Sequence, residues 1–433
     1  MNKKLDKKTK ALLSVISIAL FLVLVYIGDM VIPAGSPWKM LITVIEKGSI
    51  FALVAASMNL LNGFTGLFSL GQAGFMLIGA YTYAIFTIPA KSHDNVYQYF
   101  GGGLIKWSTV EILEDKLGVF GHYLGMLIPM IGAGLLVALI AFLIGIPVLR
   151  LKSDYLAIAT LGFAEILRAF FQWNTLGPIT NGSNVLRKYT TYGNAVFPVI
   201  IAGISIAIIL LLINSTYGRA FKAIRDDEIA AEAMGVNLFR HKEMSFIISS
   251  FFAGISGALL AMFQTTINAT PFNTVMTYEI LLIVVIGGIG SITGSVIGAF
   301  LFTAASEWWL RGLDAGRWLG ISSSLMRPGF RKVIFAILIM IVVLFYSKGI
   351  MGNSEFSWDS FLAWIKGRPD AIKTWPARRK ARAAAKKEAR AAKAAARAKA
   401  AGDEGDAKRS SGEALFTPLP MSDEVMVFGK EGK

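Results

Sequence analysis

The stretch Gly218-Arg-Ala-Phe-Lys-Ala-Ile-Arg-Asp-Asp-Glu-Ile-Ala-Ala-Glu-Ala-Met-Gly-Val-Asn237 is a charged segment set between two long apolar runs. Ala, Glu, Arg and Lys all favour helix, and Gly235 stands where a C-terminal cap would end one. The flanking runs, at about 195–213 and 246–263, approach the ~20 apolar residues that cross a bilayer as helix. So dense a set of charges cannot lie in hydrocarbon. The segment at about 218–237 therefore sits in water between two spans and presents a compact helix to a partner. That reading makes the chain a polytopic membrane protein.

Composition agrees. The 433 residues are 55% hydrophobic, and mean hydropathy is +0.58. With no cysteine in the chain, disulfide frameworks, thiolate catalysis and cysteine metal sites are excluded. His93, His122 and His241 are too scattered to suggest a metal cluster. The net charge of +15 resembles a nucleic-acid signal until it is located: residues 377–400 hold ten Lys/Arg and one Glu. That tail has no aromatic interleaving for base stacking, so its expected partner is anionic lipid and not nucleic acid.

Working outward from 218–237, the apolar runs place spans at about 11–32, 41–61, 70–88, 124–149, 156–173, 195–213 and 246–263. The basic leader before residue 11 and the basic turn Arg150-Leu-Lys-Ser-Asp154 belong to the cytoplasmic side, as do Arg219, Lys222, Arg225, Arg240 and Lys242. The run at 11–32 is long for a signal peptide and no clear cleavage site follows it, so it reads as a first span with the N-terminus cytoplasmic. Residues 89–123 read as an outer loop. The run 277–303 is interrupted by Gly287-Gly-Ile-Gly-Ser-Ile-Thr-Gly294, a poor helix interior. Were it to cross once, the last span at about 333–346 would leave the basic tail outside, against the charge rule. Two half-helices folding back at the glycines remove the conflict. The expected fold is thus all-α, a bundle of about eight transmembrane helices plus one re-entrant glycine-rich hairpin. Residues 1–350 form the membrane domain, 351–366 an amphipathic surface helix, and 367–433 a basic Ala/Lys/Arg-rich cytoplasmic tail, partly disordered. The glycine segments at 63–74 and 287–298 share a loose Gly-x-x-Gly spacing, the mark of an internal repeat.

Four of these segments carry a resemblance. Asn62-Gly-Phe-Thr-Gly-Leu-Phe-Ser-Leu-Gly-Gln-Ala-Gly-Phe-Met-Leu-Ile-Gly-Ala-Tyr81 resembles the first signature of the LivM-type permeases of branched-chain amino-acid ABC importers. Ser153-Asp-Tyr-Leu-Ala-Ile-Ala-Thr-Leu-Gly-Phe-Ala-Glu-Ile-Leu-Arg168 resembles the second, 218–235 the cytoplasmic coupling segment, and 285–298 the late glycine motif. They occur in the family's order over roughly 40–350. The chain departs from the pattern at Phe345-Tyr-Ser-Lys-Gly-Ile350, where the family has a proline, and in its long basic tail.

The resemblance implies a transport subunit, not an enzyme, in a bacterial inner membrane. Its partners would be a second, LivH-like permease, two cytoplasmic ABC ATPases and an external solute-binding protein delivering Leu, Ile or Val. No Gly-x-x-x-x-Gly-Lys-Ser/Thr occurs, so no cofactor is expected here, and ATP and Mg²⁺ would reside on the ATPases. Arg225, Asp227, Glu228, Glu232, Ala233 and Gly235 would dock them, the charges setting register. Candidates for the translocation path are Asn59, Asn62, Ser69 and Gln72 at the first glycine turn, Gly287, Gly288 and Gly290 at the second, and the pair Glu165 and Arg168. Half-helix ends offer N–H groups for a substrate carboxylate. Small residues also serve close helix packing, and an i,i+3 ion pair also serves as a strut between helices. The same architecture could import urea, short amides or other hydrophobic amino acids. An ATP-independent secondary transporter would need ionisable relays in several spans, and Glu165 is nearly the only such group legible deep in one.

Overall fold

The computed structural model describes residues 7–309 save Ala34, Pro37 and Lys152, and beyond them positions 317, 318, 321, 322, 333, 334, 337, 340, 349–352, 355 and 358. All but the last lie in one compact unit, Leu5–Phe356. The helices are α1 (Lys7–Val31), α2 (Lys39–Asn59), α3 (Gln72–Thr87), α4 (His93–Val96), α5 (Thr109–Val148), α6 (Ser153–Gln172), α7 (Gly177–Thr180), α8 (Val196–Asn214), α9 (Thr216–Asp226), α10 (Glu228–Ala233), α11 (Leu238–Gln264), α12 (Thr274–Gly287) and α13 (Ile292–Ala304). Among the described residues six helices are long and apolar enough to cross a membrane, or seven if α3 and the helical turns at Ala90–Val96 count as one span bent by 102°. These fall on the seven runs read from the sequence. The run at 333–346 and the tail at 367–433 lie mostly or wholly outside the described residues.

The centre of the bundle is α2, α3 and α11, whose facing side chains are almost all buried. Two glycine contacts bring α3 and α11 backbone to backbone. A Cβ on Gly79 would overlap the Gly254 carbonyl, and one on Gly257 would overlap that of Met76. Membrane helices associate through such contacts because lipid offers no hydrophobic drive to push them together. By contrast α1 shows most of its apolar side chains on the outside of the bundle. It is held near its end by Asp29, which pairs with Lys39 at 2.6 Å and accepts the Ala195 N–H at 3.0 Å.

The segment 89–123 is more ordered than a simple outer loop. It contains α4 and the first turns of α5, which double back at Gly118 (φ 58°, ψ −140°). A Cβ on Gly125 would lie 2.6 Å from the Val110 Cα, so 109–117 packs antiparallel on 119–148. Pro129 lacks the N–H that would bond Gly125 four residues back. Thr109 Oγ1 takes that freed carbonyl at 3.0 Å. The loop after α7 is likewise tied down: β1 (Leu186–Arg187) pairs antiparallel with β2 (Thr266–Ile267), and Tyr189 Oη donates to the Ala261 carbonyl at 2.7 Å.

The glycine break behaves as a hairpin. α12 ends at Gly288 (φ 119°), Ser291 caps α13, and the two helices touch at Gly287, Gly294 and Gly298. Of the expected surface helix at 351–366 only positions 351, 352, 355 and 358 are described. Residues 349–352 form a turn, held by the Ile350 and Met351 N–H groups on the Ile286 and Gly287 carbonyls. Glu355 then accepts the Ile292 and Thr293 N–H groups at 2.7 and 3.0 Å. Those are donors that the first turn of any helix leaves open. The remainder of 351–366, apart from Trp358, lies outside the described residues.

Candidate functional site

The water-exposed segment is two helices, not one. Asp227 adopts an extended backbone (φ −161°) and its Oδ1 accepts the Ile229 and Ala230 N–H groups at 2.9 and 3.1 Å, so the chain stops α9 and starts α10 there. An aspartate with free N–H groups ahead of it is a strong helix start, a signal that overrides helix propensity across 218–237. At the other end Gly235 (φ 86°) donates to the Glu232 carbonyl and Val236 to that of Ala231, the paired bonds of a Schellman cap. Replacing Asp227 by Ala should loosen α10 by about 1 kcal/mol. Amide hydrogen exchange should then quicken at 229–236 with the spans unchanged.

α9 grips the bundle and α10 stands clear of it. Phe221 and Ile224 are buried. Arg225 Nη1 donates to the Gly63 carbonyl at 3.0 Å, while its Nε and Nη2 hold Asp226. Lys222 lies 5.5 Å from the centre of the Phe64 ring. In α10 only Ala231 is buried, and Glu228 is strapped to Lys242 of α11 at 2.7 Å. Glu232, Ala233 and Gly235 are exposed. So are two residues that sequence reasoning passed over, Ile229 at 82% and Met234 at 85%. Their signal was available, as large apolar residues inside an otherwise charged, water-facing segment.

The two glycine turns, 229 positions apart at their closest bond, meet on one side chain. Asn59 is fully buried; its Nδ2 donates to Ser295 Oγ at 2.8 Å and to the carbonyls of Ser291 and Gly288 at 2.9 and 3.3 Å. Its Oδ1 accepts the Gly290 N–H at 2.8 Å. The neighbouring backbone is as close: a Cβ on Gly63 would lie 2.6 Å from the Gly290 nitrogen. Asn62 clasps the first turn, accepting the Ser69 N–H at 3.1 Å and donating to its carbonyl at 3.3 Å. Ser69 is buried and its Oγ accepts the Gly71 N–H. Gln72 donates to Ser249 at 2.9 Å, and Ser249 to the Ser57 carbonyl at 2.6 Å. The Gln72 Oε1 is buried without a partner. In this structure Asn59, Asn62 and Ser69 therefore have their polar atoms engaged in holding the two turns, and Gln72 retains one unspent acceptor.

Glu165 and Arg168 stand apart from this cluster. They pair at 2.7 Å, and Glu165 also accepts the Thr274 hydroxyl at 3.0 Å, tying α6 to the start of α12. Lys47 of α2 pairs with Glu307 after α13. A third acid escaped the sequence reading. Glu243 lies on α11 ahead of the run that looked like the span, and it is buried. Among the described residues no group of His, Cys, Asp and Glu is arranged to hold a metal ion.

The chain resembles known proteins over much of its length. Residues 40–344 match the family described as "Branched-chain amino acid transport system / permease component". It is 31% identical over 292 residues to the high-affinity branched-chain amino acid transport system permease protein LivM of Escherichia coli, covering 60% of this chain and 61% of that one. A probable LivM of Methanocaldococcus jannaschii is 25% identical over 274 residues, 58% of this chain and 76% of that one. LivH of Salmonella typhimurium is 28% identical over 151 residues, 35% and 44% respectively. The match thus spans about three fifths of the length of the Escherichia coli LivM. No solved structure gives a significant match. A profile covering well over half of the residues, on a bundle of membrane-length helices, fixes the class: this is a multi-pass membrane protein, and the chain belongs to the family of branched-chain amino acid transport permease components.

Proposed function

We propose that the chain is one of two related permease subunits of an ATP-driven importer that carries branched-chain amino acids into a bacterial cytoplasm. A LivH-like subunit completes the pathway, two cytoplasmic ATPases drive it, and an external binding protein delivers the substrate. The N-terminus and the tail lie on the cytoplasmic side with α9 and α10. ATP and Mg²⁺ belong to the ATPases.

One observation carries the reading. α10 is a short, doubly capped helix offering Ile229 and Met234 to solvent beside Glu232. Large apolar side chains so exposed on a water-facing element mark a protein contact, and the cap at each end lets the helix move as a rigid body. Its motion has a route inward. α9 carries Arg225, Arg225 holds the Gly63 carbonyl, and Gly63 abuts Gly290 on the hairpin that Asn59 pins. A displacement of the coupling helices thereby reaches both glycine turns through fixed hydrogen bonds and backbone contact.

The test is co-purification from native membranes of the wild type and of two variants, Glu232→Lys with Gly235→Trp, and Ile229→Asp with Met234→Asp. The ATPase pair and the second permease should accompany the wild type. Each variant should lose the ATPases at least tenfold while keeping the second permease. Leucine-loaded binding protein should stimulate ATP hydrolysis by the wild-type complex alone. Uptake that persists without ATP, or a wild type that purifies by itself, would sink the proposal.

A further inference from the structure

Glu243 is 6% exposed, and neither of its carboxylate oxygens has a hydrogen-bond or ionic partner among the described residues. It occupies a notch in α5 that exists because residue 145 is glycine: a Cβ there would stand 2.5 and 2.6 Å from the two oxygens. Glu243 lines a cavity of about 370 Å³ together with Phe142, Phe239, Arg240, Met244, Ile247 and Ile248. Arg240 is exposed, one turn before Glu243 on the same helix, and pairs with no described residue. The site lies in the first turns of α11, next to the water-facing segment 216–237. With α11 as a span, its first turns fall at the end near water, where a long Arg side chain can reach the interface.

A buried ion without a partner is costly, and the carboxylate keeps its charge only where a cation completes the notch. A lone lysine or arginine of another protein would meet the like charge of Arg240 at the rim. A zwitterion satisfies both charges at once, and the apolar walls suit acyl chains. We propose that this cavity binds an amine-bearing, zwitterionic phospholipid, its ammonium on Glu243, its phosphate on Arg240 and its chains along Phe142, Met244 and Ile248. Charge pairing with N–H donation is the stronger kind of hydrogen bond, so an ammonium is preferred to a methylated amine. The site does not depend on the transport reading.

The experiment uses the full chain with its native partners, delipidated in detergent and then exposed to dioleoyl phosphatidylethanolamine, phosphatidylcholine or phosphatidylglycerol. Retained lipid is counted by native mass spectrometry. The wild type should retain the ethanolamine lipid at least tenfold over the other two. Glu243→Gln, which keeps the side-chain shape, should erase that preference, and Gly145→Ala, which fills the notch, should do the same. Arg240→Ala should weaken the ethanolamine and glycerol lipids alike. Equal retention of all three by the wild type, or an ethanolamine preference that survives Glu243→Gln, would overturn the proposal. So would carbodiimide coupling of Glu243 to a lysine of another subunit.

Discussion

Replacing Asn59 by Leu should cost the protein about 3–5 kcal/mol, one of the two largest single-residue losses expected in the bundle. The exchange nearly conserves volume but removes one bond each from the Ser291 carbonyl and the Ser295 hydroxyl, which still bond each other, and takes the acceptor from the Gly290 N–H. That N–H is left unpaired where water does not reach, at about 1–3 kcal/mol, and each lost bond to Ser291 and Ser295 adds about 1 kcal/mol. The turn keeps its ties to the Ile350 and Met351 N–H groups and to Glu355, but none of these bonds Gly290. Thermal denaturation in detergent, followed by size-exclusion elution, should show a lowered midpoint. On the proposed function, transport should fall further than stability, since Asn59 pins the hairpin next to the Gly63 backbone that Arg225 of α9 holds. Asn59→Asp should rescue the Gly290 bond alone and recover only part of either loss. A midpoint within error of the wild type for Asn59→Leu would remove Asn59 from its place at the junction.

Replacing Gly79 by Ala, a single added methyl, should be as damaging. In most helices this change stabilises by about 0.5–1 kcal/mol, because glycine loses more backbone entropy on folding. Here the new carbon would fall on the Gly254 backbone, which cannot swing aside as a flexible side chain can. The helices α3 and α11 would have to part along the centre of the bundle, and overpacking of a tight core costs about 1–3 kcal/mol or more. Gly162→Ala and Gly203→Ala make the control, since a Cβ at either meets nothing within 4 Å. Those two should elute and melt like the wild type, while Gly79→Ala shifts toward aggregate. Equal behaviour of all three would mean that the α3–α11 contact yields more easily than its geometry shows.

Much of this protein was legible in the sequence because a bilayer imposes strong rules on a chain. Backbone groups in hydrocarbon must bond within the helix, so the apolar runs alone located the spans from α1 to α11. The glycine run at 287–294 could not continue a helix, and α12 and α13 part there. The segment at 218–237 declared itself by charge, and Gly235 by its place after a helix-forming run. The order of four motifs then pointed to the family that the profile over residues 40–344 shows.

Tertiary structure decided what those elements do to each other. Local pattern could not show that Asn59 spends its side chain on a turn more than 200 positions away, because a hydrogen bond of that separation leaves no periodic trace. The split of the charged segment 218–237 at Asp227 was hidden because helix propensity favoured continuity, and a single cap residue reversed it. Glu243 was overlooked because a carboxylate near a span boundary reads as an interface charge. Only the close approach of α5 at Gly145 buries it. Sequence set which segments enter the membrane and which remain in water. The contacts between backbones, made possible by glycines on different helices, set which polar groups are spent on the fold and which are left for a partner.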